Sequence, residues 1–144
     1  MNKKLDAIDK INMRLEKLYE YVSILKTLKG VKADELKRDI NKRAKAERFL
    51  QLACEAATDI AELLIVDMRL RTPKTARETF EILGEENVLE KDFANRFAPM
   101  TGFRNILVHD YLDIDYEQVA DKINNRLVDF DTFAKQIAKY LSKI

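Results

Sequence analysis

The stretch from Phe103 to Tyr111 concentrates the side chains of this chain that are best equipped to handle a phosphate group. It holds the only histidine, His109, with Arg104 five positions before it, Asn105 one helical turn before it and Tyr111 two positions after it. A guanidinium is a permanent cation whose planar fork matches two phosphate oxygens. An imidazole gives or takes a proton near neutral pH. The amide and the phenol supply further hydrogen bonds, so the set can bind a phosphate and move a proton beside it. At about 100° per residue, a helix turns Phe103, Ile106, Leu107 and Asp110 to one side, where the three apolar residues are expected to anchor it in a core. Arg104, Val108 and, if the helix runs that far, Tyr111 share a second face. Arg104 and His109 then lie about 140° apart, which suits a cleft fed from two subunits. The plain alternative is a histidine satisfied on an ordinary bundle helix.

The elements that must position these residues read as helices. Only three glycines and two prolines punctuate 144 residues, too few for a turn-rich β fold. Leu5, Ile8, Ile11, Leu15, Leu18, Val22 and Leu25 recur at spacings of three and four, predicting an amphipathic helix near residues 3–28 with Gly30 as its stop. Asp34 is expected to cap a long second helix with Leu36, Ile40, Leu50, Ala53, Ala57, Ile60, Leu64 and Met68 inward. Thr72-Pro73 breaks it, and Thr75 with Glu78 forms a capping box for a short third helix ended by Gly84. Leu89, Phe93 and Phe97 mark a further segment leading to Pro99, which kinks the helix or opens the next one, and Gly102 adds slack before the phosphate-handling stretch. Asp115 caps a last helix whose core stripe is Val119, Ile123, Leu127, Phe130, Ala134, Ile137, Leu141 and Ile144. The expectation is one all-α domain over residues 1–144, an antiparallel helical bundle of four main helices plus one or two short ones.

Charge narrows the partners. The 26 Lys+Arg against 25 Asp+Glu leave a net charge of +1, so affinity for a nucleic acid has to come from local patches. Two such patches exist: Lys37, Arg38, Lys42, Arg43, Lys45 and Arg48, and the loop cluster Arg69, Arg71, Lys74 and Arg77. Glu55, Asp59 and Glu62 lie one turn apart; pairing with Arg104 or another arginine suits them better than a metal. Cys54 sits among alanines as core filler, and without a second cysteine it fits a reducing compartment. No run of about 18 apolar residues and no hydrophobic leader is present, so a cytoplasmic location without membrane contact is expected. There is no glycine-rich phosphate loop and no cysteine cluster for zinc. No metal or other cofactor is called for.

Arg104, His109 and Tyr111, with four residues and then one between them, resemble the R-x4-H-x-Y signature of HEPN-domain ribonuclease toxins of the HepT type. The flanks Gly102-Phe103-Arg104-Asn105 and Tyr111-Leu112-Asp113-Ile114-Asp115 resemble that family too, as do Leu52 to Ile60 (LACEAATDI) and Arg71 to Phe80 (RTPKTARETF). The resemblance runs from about Phe49 to the C-terminus, with the first helix fitting by pattern only. Leu63 stands where many members carry a second histidine, and Ala76 where many carry an aromatic. The resemblance implies a metal-independent endoribonuclease toxin of a type II toxin–antitoxin system, with Arg104 and His109 at the reacting phosphate. By position, Asn105 joins them, either orienting the His109 ring or donating to the phosphate, and the loop cations Arg71, Lys74 and Arg77 are expected as RNA contacts. It implies RNA as substrate, no DNA, a homodimer, and an MNT-type nucleotidyltransferase antitoxin that adds AMP to Tyr111. A non-catalytic helical module that binds a nucleotide or the nucleotidyltransferase is the alternative.

Overall fold

The computed structural model describes residues 3–109 and 111–144, with side chains from residue 6 onward except those of residues 110 and 111. It is all-α among the described residues. The elements are α1 (Lys3–Lys26), α2 (Ala33–Arg38), α3 (Ile40–Asp67), α4 (Ala76–Glu85), α5 (Lys91–Phe97), α6 (Met100–His109), α7 (Tyr116–Asp121) and α8 (Leu127–Leu141). A 3₁₀ turn, Tyr111–Asp113, follows α6, and a π-helical turn, Lys122–Arg126, joins α7 to α8. α1 and α3 pack along each other as the long pair, α8 lies against α1, and α6 packs on α3.

The long second helix of the sequence pattern divides into two. Asp39 leaves the helical conformation and its carboxylate accepts from the amides of Asn41 and Lys42, capping α3 rather than continuing α2. Arg43 closes the other side of the break, its Nη1 donating to the carbonyls of Lys37 at 2.9 Å and Leu36 at 3.4 Å. Asp34 accordingly sits inside α2 rather than capping it, and Ile40, expected inside, is 66% exposed at the new helix start. Ala53, Ala57, Ile60, Ala61 and Leu64 do line the buried face of α3. α3 ends at Asp67, before Thr72-Pro73, where Arg69 takes a left-handed φ of 55°. Thr75 caps α4 by accepting from the amide of Glu78 at 3.1 Å.

A phenylalanine cluster ties α4, α5 and α8 together. Phe97 stacks on Phe93 at 5.3 Å and on Phe133 at 5.2 Å, and meets Phe80 and Phe130 edge-on at 5.3 and 5.6 Å. Gly84 lies within α4 instead of ending it. A Cβ built there would come within 2.8 Å of Ala94 Cβ, so the absent side chain is what lets α4 and α5 touch. Pro99 opens α6, its carbonyl accepting from the amides of Gly102 and Phe103. Gly102 is regular helix in open surroundings, not slack. On α8, Leu141 is only partly buried and Ile144 is 49% exposed, whereas Phe133, outside the expected stripe, is fully buried.

The two helical glycines should answer alanine with opposite signs. Gly84→Ala forces α4 from α5 and should cost about 1–3 kcal/mol, as overpacked sites do. Gly102→Ala, with nothing in its way, should add about 0.5–1 kcal/mol. Urea unfolding of both variants measures this, and a stable Gly84→Ala protein would show that α4 and α5 are not held at that distance.

Candidate phosphate-handling site on helix α6

α6 is ten residues long and packs Met100, Thr101, Phe103 and Leu107 inward. Ile106, expected as a third anchor, is instead 39% exposed. It shares the outward face with Gly102, Asn105 and His109, all exposed. Lys122, at the start of the π turn, holds its ammonium 5.6 Å from the centre of the Phe103 ring and braces that side of the helix.

Arg104 sits at the edge between the buried and exposed faces, against α3. Its Nη2 donates to Glu55 Oε1 at 3.0 Å and its Nη1 to Asn105 Oδ1 at 3.2 Å. Gln51, one turn before Glu55, donates its Nε2 to the same carboxylate oxygen at 3.1 Å. Glu55 therefore fixes the guanidinium, and Gln51 fixes Glu55. The sequence singles out Glu55 but misses Gln51, although a spacing of four puts both on one face. The next acid, Asp59, reaches Arg14 Nε of α1 at 3.9 Å. Burial pushes the Asp59 carboxyl up from the usual range, Arg14 draws it back, and the neighbouring Glu55 raises it again. Burial and the charge of Asp59 likewise raise Glu62. Two of the three acids thus serve arginines. Burial holds the Cys54 thiol up at about 12, which keeps it a packing group.

His109 closes α6 with its ring exposed. The α-helical phase that would carry Tyr111 back over Arg104 stops there, because the chain tightens into the 3₁₀ turn Tyr111–Asp113. Asp110 and the side chain of Tyr111 lie outside the described residues. Tyr116, the other phenol nearby, is engaged: its hydroxyl donates to Glu47 Oε1 at 2.6 Å. Burial, that hydrogen bond and the Glu47 charge push the Tyr116 phenol up to about 12. The loop cations are divided as well. Arg71 is clamped between Glu78 and Glu85, the latter at 3.0 Å, while Lys74 and Arg77 are exposed. Leu63 lies elsewhere, in a groove of about 850 Å³ with Val66, Met68 and Tyr140.

Solved structures match this helical bundle closely. A toxin–antitoxin complex with AMP-PNP superposes at a TM-score of 0.82 with 25% identity, covering 91% of this chain and 98% of that one. A tri-AMPylated Shewanella oneidensis HEPN toxin in complex with MNT antitoxin gives 0.80 and 25% over 96% and 99% of the two chains. The chain belongs to the ribonuclease HepT-like family, which it matches over residues 11–137. The kinship therefore reaches into α1, well before Phe49. Among curated relatives, the tRNA nuclease HepT of Aphanizomenon flos-aquae is 34% identical over 131 residues, 91% of this chain and 89% of that protein. The mRNA nuclease HepT of Shewanella oneidensis is 30% identical over 99 residues, 69% and 74% of the two.

The raised carboxyl of Glu62 gives a pH-dependent expectation. The charge of Glu62 costs more in the folded chain than in the unfolded one, because burial and Asp59 disfavour it. Glu62→Gln should therefore raise the melting temperature at pH 7 by roughly 1–2 °C, the scale of a small surface change. The gain should shrink as pH falls and the parent carboxyl takes up its proton. Melting followed by circular dichroism at pH 7 and pH 4 checks the sign; a loss at pH 7 would contradict it.

Proposed function

We propose that this chain is a metal-independent endoribonuclease toxin whose reaction is carried by Arg104 and His109. The observation that carries the reading is the arrangement on α6: a guanidinium fixed by Glu55 at the edge of the helix and an exposed imidazole about one and a half turns further on. Cleavage of RNA through its own 2′-hydroxyl needs a base for that hydroxyl, an acid for the leaving oxygen and positive charge on the phosphate. His109 moves the proton, Arg104 holds the phosphate oxygens, and Asn105, bonded to Arg104, orients the guanidinium and offers its amide to the substrate. With the imidazoles of two subunits the protein's own groups supply each role, and no step calls for a metal. RNA as substrate accords with the names of the curated relatives, one a tRNA nuclease and one an mRNA nuclease.

One imidazole per chain is short of a two-proton task. A homodimer with the α6 faces together resolves this by bringing two copies of the set to one cleft. The exposed apolar residues around His109, Ile106 at 39% and Leu112 at 83%, suit burial in such an interface. The test is incubation of the purified chain with RNA in excess chelator. Parent protein should cleave, His109→Ala should lose about 10²–10⁴-fold and Arg104→Ala about 10²–10³-fold, with helicity unchanged. Light scattering of the same sample should give about twice 16.8 kDa. An active His109→Ala protein would end the assignment, and an active monomer would end the dimer.

Control by an MNT-type nucleotidyltransferase antitoxin that adds AMP to Tyr111 completes the reading. The Shewanella oneidensis structure is of a tri-AMPylated toxin with its MNT antitoxin. In this chain Tyr111 lies two residues after His109, close enough in sequence for an added phosphate and adenosine to obstruct the approach of RNA to His109. Tyr116 is a poor rival, since Glu47 already takes its hydroxyl. Intact-mass measurement after co-expression with such an enzyme should find added AMP on the parent and none at this position in Tyr111→Phe, which should stay toxic. Unaltered modification of that variant would move the acceptor elsewhere.

A further inference from the structure

We infer that Arg48 is a second phosphate contact, which sets the side on which an RNA strand leaves the Arg104/His109 site; the inference rests on the ribonuclease reading above. The basic run at the start of α3 offers several cations, and the structure separates them. Lys42 pairs with Glu35 at 3.2 Å, Lys45 donates to Thr27 Oγ1 at 3.0 Å, and Arg43 is spent on the α2 carbonyls. Arg38 turns its Nε back to the carbonyl of Asp34. Arg48 is exposed and has no hydrogen-bond or ion-pair partner among the described residues.

Its position follows from two contacts that set the course of the chain past α3. Arg104 meets Glu55 at 3.0 Å, and Tyr116, further along the chain, meets Glu47 at 2.6 Å. The chain therefore descends past α3 from the level of Glu55 to that of Glu47. His109, five residues after Arg104, lies about 7.5 Å further along α6, and Arg48, seven residues before Glu55, about 10.5 Å back along α3. Seven residues are within about 20° of two full turns, so Arg48 projects from the same stripe of α3 as Glu55. Arg48 thus lies on the stripe of α3 that meets Arg104, toward the end to which the chain descends after His109.

Two other directions are acidic. Beyond Glu55 the same stripe continues into Asp59 and Glu62. On the far flank of α6 a groove of about 410 Å³ between Phe103 and Ile106 is rimmed by Asp113 and Asp115. A strand with its scissile phosphate between Arg104 and His109 meets repulsion along both, whereas toward Arg48 the next phosphate finds an unpaired guanidinium.

The experiment uses the full chain in a His109→Ala background, so that a labelled single-stranded RNA oligonucleotide is bound and not cut. Affinity is measured by fluorescence anisotropy from low to moderate salt. Adding Arg48→Gln should weaken binding several-fold at low salt and flatten the plot of log affinity against log salt by about 0.7, one phosphate contact on a single strand. Arg48→Lys should keep most of that slope. In the His109-intact protein Arg48→Gln should raise KM and leave kcat nearly unchanged, the mark of a contact equally present in ground and transition states. An unchanged slope and KM overturn the inference, as does an equal loss from Lys135→Gln, an exposed cation on α8. Binding without any cleavage by the parent sinks the ribonuclease reading while the slope still decides Arg48; absence of binding at every salt sinks both.

Discussion

A helix of ten residues does not hold itself together in water, and the side chains proposed to carry the reaction stand on one. The structure answers that constraint by giving α6 three supports. Phe103 and Leu107 sink into the core, Pro99 starts the helix at a fixed place, and Glu55 holds Arg104 from the side. Behind these supports stands the phenylalanine cluster around Phe97, which fixes α4, α5 and α8 as a rigid wall. The exposed half of α6 is then free to carry residues that contribute nothing to packing.

The hold on Arg104 is firm in geometry and light in energy. Both side chains of the pair are about one-third exposed, 34% and 32%, and an ion pair so open to water contributes up to about 1 kcal/mol. A phosphate with two oxygens for the guanidinium fork replaces one carboxylate oxygen at little cost. Gln51 in turn holds Glu55 in place by donating to the same oxygen. The guanidinium is therefore aimed without being locked, as the proposed phosphate contact requires.

Much of this was legible in residue order, for identifiable reasons. Spacings of three and four expose the buried faces of α1, α3 and α8, because burial is what periodicity records. Thr75 and Asp115 announce their caps through side chains that accept from the next turn. The break at Asp39 is invisible to the same method: no glycine or proline marks it, and the apolar phase of Leu36 and Leu50 runs through it. Ile106 misleads because an apolar residue on a short helix reads as core, whereas its exposure concerns what lies outside the chain. The pairing of Glu55 with Arg104 can be anticipated from charge and position, but Tyr116 with Glu47 joins residues far apart in order, and no local pattern connects them.

The π-helical turn between α7 and α8 has a meaning best expressed as phase. From buried Val119 to buried Leu127 is eight residues, and an ordinary α-helix would carry the second about 80° away from the first. The wider turn at Lys122–Arg126 absorbs that excess, so both ends of one continuous rod face the core. Asn124, inside the turn, pins it to the α1–α2 connection by bonding the amide of Gly30 and the carbonyl of Val31. The final helix therefore works as a gear with one extra tooth. Loss of a single residue there would leave a perfectly good helix whose front half, with Tyr116 and the Lys122 brace behind Phe103, is indexed to the wrong face.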